Sequence, residues 1–255
     1  GVLSLWAIYF LSWLTVMLSH MTIAVSNRDL VDGQKMFLAR RKVTLVHNGI
    51  RTPEFKEKDM ARATLFAVAK LSGIDIPKNT LLFGAIGELH KNKGYEYMLQ
   101  AFAHARKSRH FPYRLIIMGE GEEKDNLKKL IRELDLETDV ALLGYVKNAP
   151  TFLPAFDAFA LTSIKEGLPY VVIEAGFAGL PVVSTNVGGV REIIDDMSNG
   201  ILVQPRKSDD IAEGLLLLVK DTARAEDMGR KLKEKVEKEF SIEKMVERTI
   251  AVYNS

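Results

Sequence analysis

The chain has 255 residues, 47% hydrophobic and 27% charged, with a formal net charge of +2 and no cysteine. That is the composition of a folded globular protein of one large or two small domains. It excludes disulfides and thiolate metal sites, offers no overall basic field for nucleic acid, and fits a reducing compartment.

Residues 1–19, "GVLSLWAIYFLSWLTVMLS", carry no charge, and none appears before Arg28. The length approaches the roughly 20 residues of a membrane-spanning helix. Serines, Thr15 and two tryptophans weaken that pattern, and no positive segment precedes the run as in a signal peptide. Three readings stand: a helix buried in a domain of which only the end is present, a surface contact with a membrane, or a span.

"TIAVS" (22–26) and "KVTLVHNGI" (42–50) read as strands, the second ending in an Asn48-Gly49 turn. A polar stretch and a helical one follow. Then the chain alternates strictly. Strands are expected at 80–87, 113–119, 139–144, 157–163, 181–185 and 200–204. Helices are expected at 94–107, 122–136, 169–179, 190–196 and 208–220, with a short link at 151–156. Ser208 is placed as the N-cap of the last of these. The tail is two charged amphipathic helices broken near Phe240-Ser241. Continuous apolar strands separated by helices mean a parallel sheet covered on both faces. The fold class is therefore α/β, a doubly wound Rossmann-like sheet with an N-terminal helix-strand piece.

In such sheets ligands bind outside the carboxyl ends of the strands. Four loops there carry chemistry: "GAIGELHKNKG" (84–94), "MGEGEE" (118–123), "LGYVKN" (143–148) and "TSIKEGLPY" (162–170). The last is the most informative. Pro169 suits the first helical position, which leaves the N–H groups of Leu168, Tyr170 and Val171 at a helix start suited to phosphate. Glu174 lies roughly 7 Å further along the axis, and helical side chains lean back toward the start. Its carboxylate suits a pair of ribose hydroxyls; equally, it is a partly buried helix residue held by a local partner. Lys93 is either a point-charge ligand of phosphate or a solvated loop lysine. "GEGEE" is a tight turn, since G-x-G-x-x-G is incomplete. The histidines show no metal spacing, and His47 reads as a turn residue. No metal is expected.

These motifs, in this order, resemble the nucleotide-sugar-binding half of retaining GT-B glycosyltransferases of the group 1, or family-four, type. The strongest match is "SIKEGLPYVVIEAGFAGLPVVSTNVGGVREII" (163–194), in which Glu166 and Glu174 match the family's E-x(7)-E pair. "HNGI", "GELHKNKG", "IIMGEGEE", "LLGYV", "LPAFDAFALTS" and "NGILVQP" add to it. The resemblance implies that Glu174 binds the donor ribose and that Glu166 lies near the sugar and diphosphate. It implies that Gly167, Leu168, Pro169 and Tyr170 contact phosphate or sugar, and that Lys93 contacts the diphosphate. Glu166 and Lys93 take the catalytic roles. Tyr145 and Val146 lie near the base. Many relatives have Arg where this chain has Glu88, so diphosphate binding is expected to rest on Lys93 and the helix end, helped by Lys91 or Lys165.

The implied donor is a UDP- or GDP-sugar and the implied acceptor a glycan or lipid-linked hydroxyl, with no further cofactor. A non-catalytic binding fragment that needs a partner domain is the alternative, and a membrane-associated interaction module the third reading. The expected organisation is an acceptor-domain remnant at 1–47, a donor domain at 48–240 and a crossover helix at 241–255. The expected location is cytoplasmic or peripheral at the inner membrane face, with membrane contact or self-association through residues 1–19.

Overall fold

The computed structural model describes residues 2–254 except 72, 78 and 108–112, and of residues 2–5 only the backbone; Gly1, where the apolar run starts, is outside it. The chain divides into two compact units, residues 1–51 with 238–255, and residues 52–237.

In the first unit the apolar run forms helix α1 (Val2–Leu18). Its 17 residues reach roughly 25 Å, short of the roughly 30 Å of a bilayer's hydrocarbon. Among the described residues, no helix is long and apolar enough to cross a membrane. Strand β1 (Thr22–Ala24), helix α2 (Asn27–Gln34) and strand β2 (Val43–Leu45) follow, and the two strands pair in parallel, Thr22 opposite Val43. Val16, Ala24, Ala39 and Val43 make a small core. The Lys42 ammonium donates to the carbonyls of Met17 and Ser19, at 2.6 and 2.8 Å, where the helix dipole is negative. Trp6, Ile8, Phe10 and Leu11 are exposed.

The second unit holds the predicted α/β alternation. In chain order it runs α3 (Lys58–Leu71), β3 (Leu81–Ile86), α4 (Tyr95–Arg106), β4 (Tyr113–Met118), α5 (Lys124–Glu133) and β5 (Val140–Gly144). A 3-10 segment at Ala149–Ala155 leads to β6 (Ala158–Leu161), α6 (Tyr170–Phe177), β7 (Val182–Thr185), α7 (Val190–Ile193), β8 (Ile201–Val203), α8 (Ser208–Lys220) and α9 (Thr222–Glu239). The six strands are all parallel, in the order β5-β4-β3-β6-β7-β8. The chain goes one way from β3 and returns to the other side with β6, so the order reverses between those two strands. An open parallel sheet has its ligand crevice there, outside the carboxyl ends of the strands.

Strand residues two apart share a face. Phe83 and Ala85 of β3, Tyr113, Leu115 and Ile117 of β4, and Ala158 and Ala160 of β6 form one core with Met98, Leu99 and Phe102 of α4 and Leu215 of α8. Phe83, Phe102 and Tyr113 meet edge to face with ring centres 5.1–5.7 Å apart, the arrangement aromatic quadrupoles favour. The carboxylate of Asp157 ties strand to helix: it accepts from Leu82 N at 2.8 Å and from Arg62 Nη2 of α3 at 2.7 Å. On α6, Gly176 lies against Leu232 and Val236 of α9.

Several expectations are corrected. Pro169 is the N-cap of α6, with ψ 107°, and the first helical residue is Tyr170. The ring still costs the helix no hydrogen bond, because a cap N–H is outside the ladder. Ser208 is the first residue of α8 and Lys207 is its cap, with no side-chain bond. Arg206, in the left-handed region at φ 63°, turns the chain into the helix one residue early. The helix expected at 190–196 is one turn, Val190–Ile193, and β8 is three residues long. The break in the tail is real: Ser241 caps α10 (Ile242–Tyr253), its hydroxyl accepting from Lys244 N. His47 packs its ring on Phe240 at 5.2 Å within the first unit.

Candidate functional site

The two loops beside the order reversal are locked together. After β3 the chain makes a 3-10 turn at Lys91–Lys93, capped by the His90 ring, which accepts from Asn92 N at 3.1 Å. After β6, Ile164 N donates to Asn92 O at 2.7 Å. The Thr162 hydroxyl lies 3.1 Å from the carbonyl oxygens of both Lys93 and Gly94. Gly94 sits at φ 60°, and a Cβ there would stand 2.2 Å from Thr162 O. Only glycine allows both the left-handed turn and this approach.

Out of this frame project Lys93 and Glu166. Lys93 Nζ lies 2.7 Å from Glu166 Oε1, with the carboxylate side chain only 11% exposed and the lysine 28%. The Ser163 hydroxyl donates to the same oxygen at 2.6 Å. The two residues are brought together across 73 positions of sequence by the adjacency of β3 and β6. Beneath them the Tyr95 hydroxyl donates to Gly87 O at 3.2 Å. Burial, reinforced by the Glu166 charge, pushes the Tyr95 pKa far up, so this phenol stays a neutral donor.

Residues 167–170 wrap the start of α6. Gly189 N donates to Gly167 O at 2.6 Å, and Gly188, at φ 53°, passes so close to Glu166 O that a Cβ would stand 1.9 Å from it. The loop is thereby pinned to the β7–α7 turn. Leu168 and Pro169 are buried, while Tyr170 is half-exposed. The N–H groups of Tyr170 and Val171 lie in the first turn of α6, where no intrahelical acceptor exists.

Glu174 lies one turn further along α6 and is half-buried. Among the described residues its carboxylate has no hydrogen-bond or ion-pair partner. Burial pushes its pKa up to about 7. The local partner that a purely structural glutamate would have is therefore missing.

Alongside, at the carboxyl ends of β3, β4 and β5, opens a cleft of about 430 Å³. Gly87, Glu88, Glu120, Tyr145 and Val146 are among its walls. Tyr145 is 77% exposed. The Glu120 carboxyl is held below the usual range first by Lys124, 2.8 Å away, with the Tyr145 N–H adding to it. Glu88 is exposed. Lys91 faces Glu123 at 4.0 Å, and Lys165 is exposed with no ion pair among the described residues. Another cleft, about 490 Å³, lies at the opposite ends of the strands around Leu81, Phe83 and Asp157, away from the residues of this site.

The sequence profile of the family described as glycosyl transferases group 1 matches residues 70–235. The chain belongs to the group 1 glycosyltransferases. An uncharacterized glycosyltransferase of Haemophilus influenzae is 32% identical over 186 residues, 72% of this chain and 51% of that protein. The UDP-Gal:alpha-D-GlcNAc-diphosphoundecaprenol alpha-1,3-galactosyltransferase of Escherichia coli is 24% identical over 247 residues, 94% of this chain and 62% of that one. Among solved structures, Anabaena HepE in complex with UDP and glucose superposes with a TM-score of 0.80 at 23% identity, over 93% of this chain and 63% of that chain. The chain thus spans about half to three-fifths of the length of the curated relatives it matches. The structural likeness gives the α/β sheet of a group 1 glycosyltransferase the GT-B type of fold.

Of the predicted residues, the structure gathers Lys93, Glu166, Gly167, Leu168 and Pro169 at the order reversal, with Tyr170 and Glu174 on the helix that starts there. Tyr145 and Val146 line the adjoining cleft. Ser163, Thr162 and Thr185 were not singled out. The S-x-x-E spacing of Ser163 and Glu166, that of a side-chain reach across one turn, was the available signal.

Proposed function

We propose that the unit of residues 52–237 binds a nucleoside diphosphate sugar and serves a retaining glycosyltransferase. The observation that carries this reading is Glu174, a half-buried carboxylate without a partner among the described residues, on a helix that starts where sheet order reverses. Glu174 accepts the two ribose hydroxyls. The first-turn N–H groups of α6 and the Lys93 ammonium face the diphosphate, and Glu166 stands at its sugar end. The base lies in the cleft walled by Tyr145 and Val146. The walls carry the carboxylates of Glu88 and Glu120 and lack an arginine beside Gly87, so Lys93 bears most of the neutralisation.

The chemistry is a substitution at the anomeric carbon. The bond from that carbon to the diphosphate oxygen breaks, the acceptor hydroxyl oxygen bonds on the same face, and its proton passes to the leaving diphosphate. The protein's part is to stabilise the departing charge in a preorganised site. The solved HepE complex, with UDP and glucose on the same fold, supports a nucleotide-sugar donor. The diphosphoundecaprenol in the name of the Escherichia coli relative supports a lipid-linked acceptor.

A thermal-shift panel of UDP, GDP and ADP tests the reading. UDP or GDP at ~100 times its dissociation constant should stabilise the unit by about 2.7 kcal/mol, a rise of several degrees. No shift with any of the three, or an equal shift with Glu174→Ala, would sink it. If a sugar nucleotide binds but is neither hydrolysed nor transferred, the chain is a binding module and not an enzyme by itself.

A further inference from the structure

Three buried hydroxyls converge on the site, two from the loop just after β6 (Thr162 and Ser163) and one from the end of β7 (Thr185), and each is spent on a loop or side chain of the site. Ser163 is fully buried, as is Thr185, and Thr162 is 2% exposed. The Thr185 hydroxyl, at the end of β7, donates to Ser163 O at 2.6 Å. The Ser163 hydroxyl donates to Glu166 Oε1 at 2.6 Å. The Thr162 hydroxyl reaches the carbonyls of Lys93 and Gly94. A buried hydroxyl costs stability unless bonded, and an apolar residue fills such a place at no such cost. Here the bonds hold the backbone of Lys93 and the carboxylate of Glu166, the two charged residues of the crevice.

The geometry has a particular asymmetry. Both donors to Glu166, Ser163 Oγ and Lys93 Nζ, fall on Oε1. Among the described residues none falls on Oε2. Two charge-assisted bonds on one oxygen fix the carboxylate rotamer and leave the lone pairs of the other oxygen unspent. The anchor is the end of β7, whose Thr185 holds the backbone of Ser163 just past β6, and groups tied to strands are held more closely than groups on free loops.

We propose that Ser163, backed by Thr185, is the positioning residue that presents Glu166 Oε2 as an acceptor to a sugar hydroxyl of the donor. This rests on the donor-site reading above, and it names how the sugar end, as distinct from the nucleotide end, is recognised. Lys93 alone does not suffice for this, because it must also serve the diphosphate. Once its ammonium turns to phosphate, Ser163 is the donor that keeps Glu166 in place.

A double-mutant cycle tests the bond without any donor. Ser163→Ala should lower the melting temperature by about 3–6 °C in the wild-type background and by less than about 1 °C in Glu166→Ala. Calorimetry then tests its consequence with UDP-glucose and GDP-mannose against UDP and GDP. For whichever base the wild type accepts, Ser163→Ala should weaken the sugar nucleotide about 5–10-fold and the nucleoside diphosphate less than about twofold. Thr185→Val, of nearly the same shape, should show the same split in smaller measure. Equal thermal losses in both backgrounds would overturn the proposal, since Ser163 would not act through Glu166. Equal weakening of UDP-glucose and UDP would overturn it too, as a general distortion of the site. If the wild type binds no nucleotide, the donor-site reading fails and this assignment falls with it; the thermal coupling then remains only as a packing contact.

Discussion

Glu174→Gln should make the protein more stable and worse at binding. At about pH 8 the substitution is expected to raise the melting temperature by about 5 °C, and at about pH 4 to leave it nearly unchanged. The reason is the raised pKa. Burial takes Glu174 from its usual 4.5 to about 7. The folded state therefore holds the proton more tightly than the unfolded one. The stability this confers is fully present below about pH 4.5 and is lost as pH rises through about 7. Above that, a desolvated charge without a partner remains. The shift of roughly 2.5 units corresponds to about 3 kcal/mol, reduced to about 2 for a half-buried group screened by solvent. Glutamine removes that cost and keeps the shape. Binding moves the other way. A ribose diol donates to a carboxylate, and each hydrogen bond to a charged group contributes roughly 1.5–3 kcal/mol. Nucleoside diphosphate affinity should fall about 10–100-fold in the variant. In the wild type it should rise with pH up to about 7, as Glu174 ionises. Thermal melts and calorimetry across that range check both halves. A variant no more stable at about pH 8, or one that binds as tightly, contradicts the assignment.

Lys93→Met should weaken UDP or GDP by about 100-fold while leaving uridine or guanosine within about twofold. Two losses combine. The diphosphate loses a charge-assisted bond, and Glu166, only 11% exposed, is left facing it with Ser163 as its one donor among the described residues. The wild-type pair makes donor binding a competition: the ammonium now 2.7 Å from Glu166 Oε1 must turn to phosphate. Adding Glu166→Gln to Lys93→Met should therefore restore part of the diphosphate affinity. The wild-type affinity should also fall with salt more steeply than the variant's. Titration of the nucleosides and their diphosphates into the two variants reads this out. Equal weakening of guanosine or uridine would mean that the substitution had disturbed the loop and not the charge.

The sheet was legible because its strands are buried on both faces and read as unbroken apolar runs. "TLLFGAIG" and "YRLIIMG" needed only their flanking glycines to become β3 and β4. The start of α6 was legible from Pro169, though one position off, because a proline fits both a cap and a first helical residue. Ser208 was misread for a related reason: a serine before acidic residues looks like a cap, and the left-handed turn at Arg206 is not visible in an arginine. β8 and α7 were overextended, since three or four residues carry too little periodicity to show where they end.

The site was half legible. Glu166 and Glu174 stood out as carboxylates around an apolar helix, and the loops that end β3 and β6 were read as facing one edge. The pairing of Lys93 with Glu166 was not visible, because it depends on which strands are neighbours and not on local spacing. The hydroxyls of Thr162, Ser163 and Thr185 were hidden for the opposite reason. In sequence they look like ordinary strand ends, and only burial shows that their bonds go to the site.

Where a nucleoside diphosphate binds decides whether Glu174, Lys93 and the start of α6 form one donor site. A crystal structure of this chain with UDP or GDP, whichever the panel selects, is the most direct measurement. It should show the diphosphate between Lys93 Nζ and the first turn of α6, the ribose hydroxyls on the Glu174 carboxylate, and the Lys93–Glu166 bond opened. A nucleotide bound elsewhere, for instance in the cleft at the opposite ends of the strands beside Phe83 and Asp157, would contradict it.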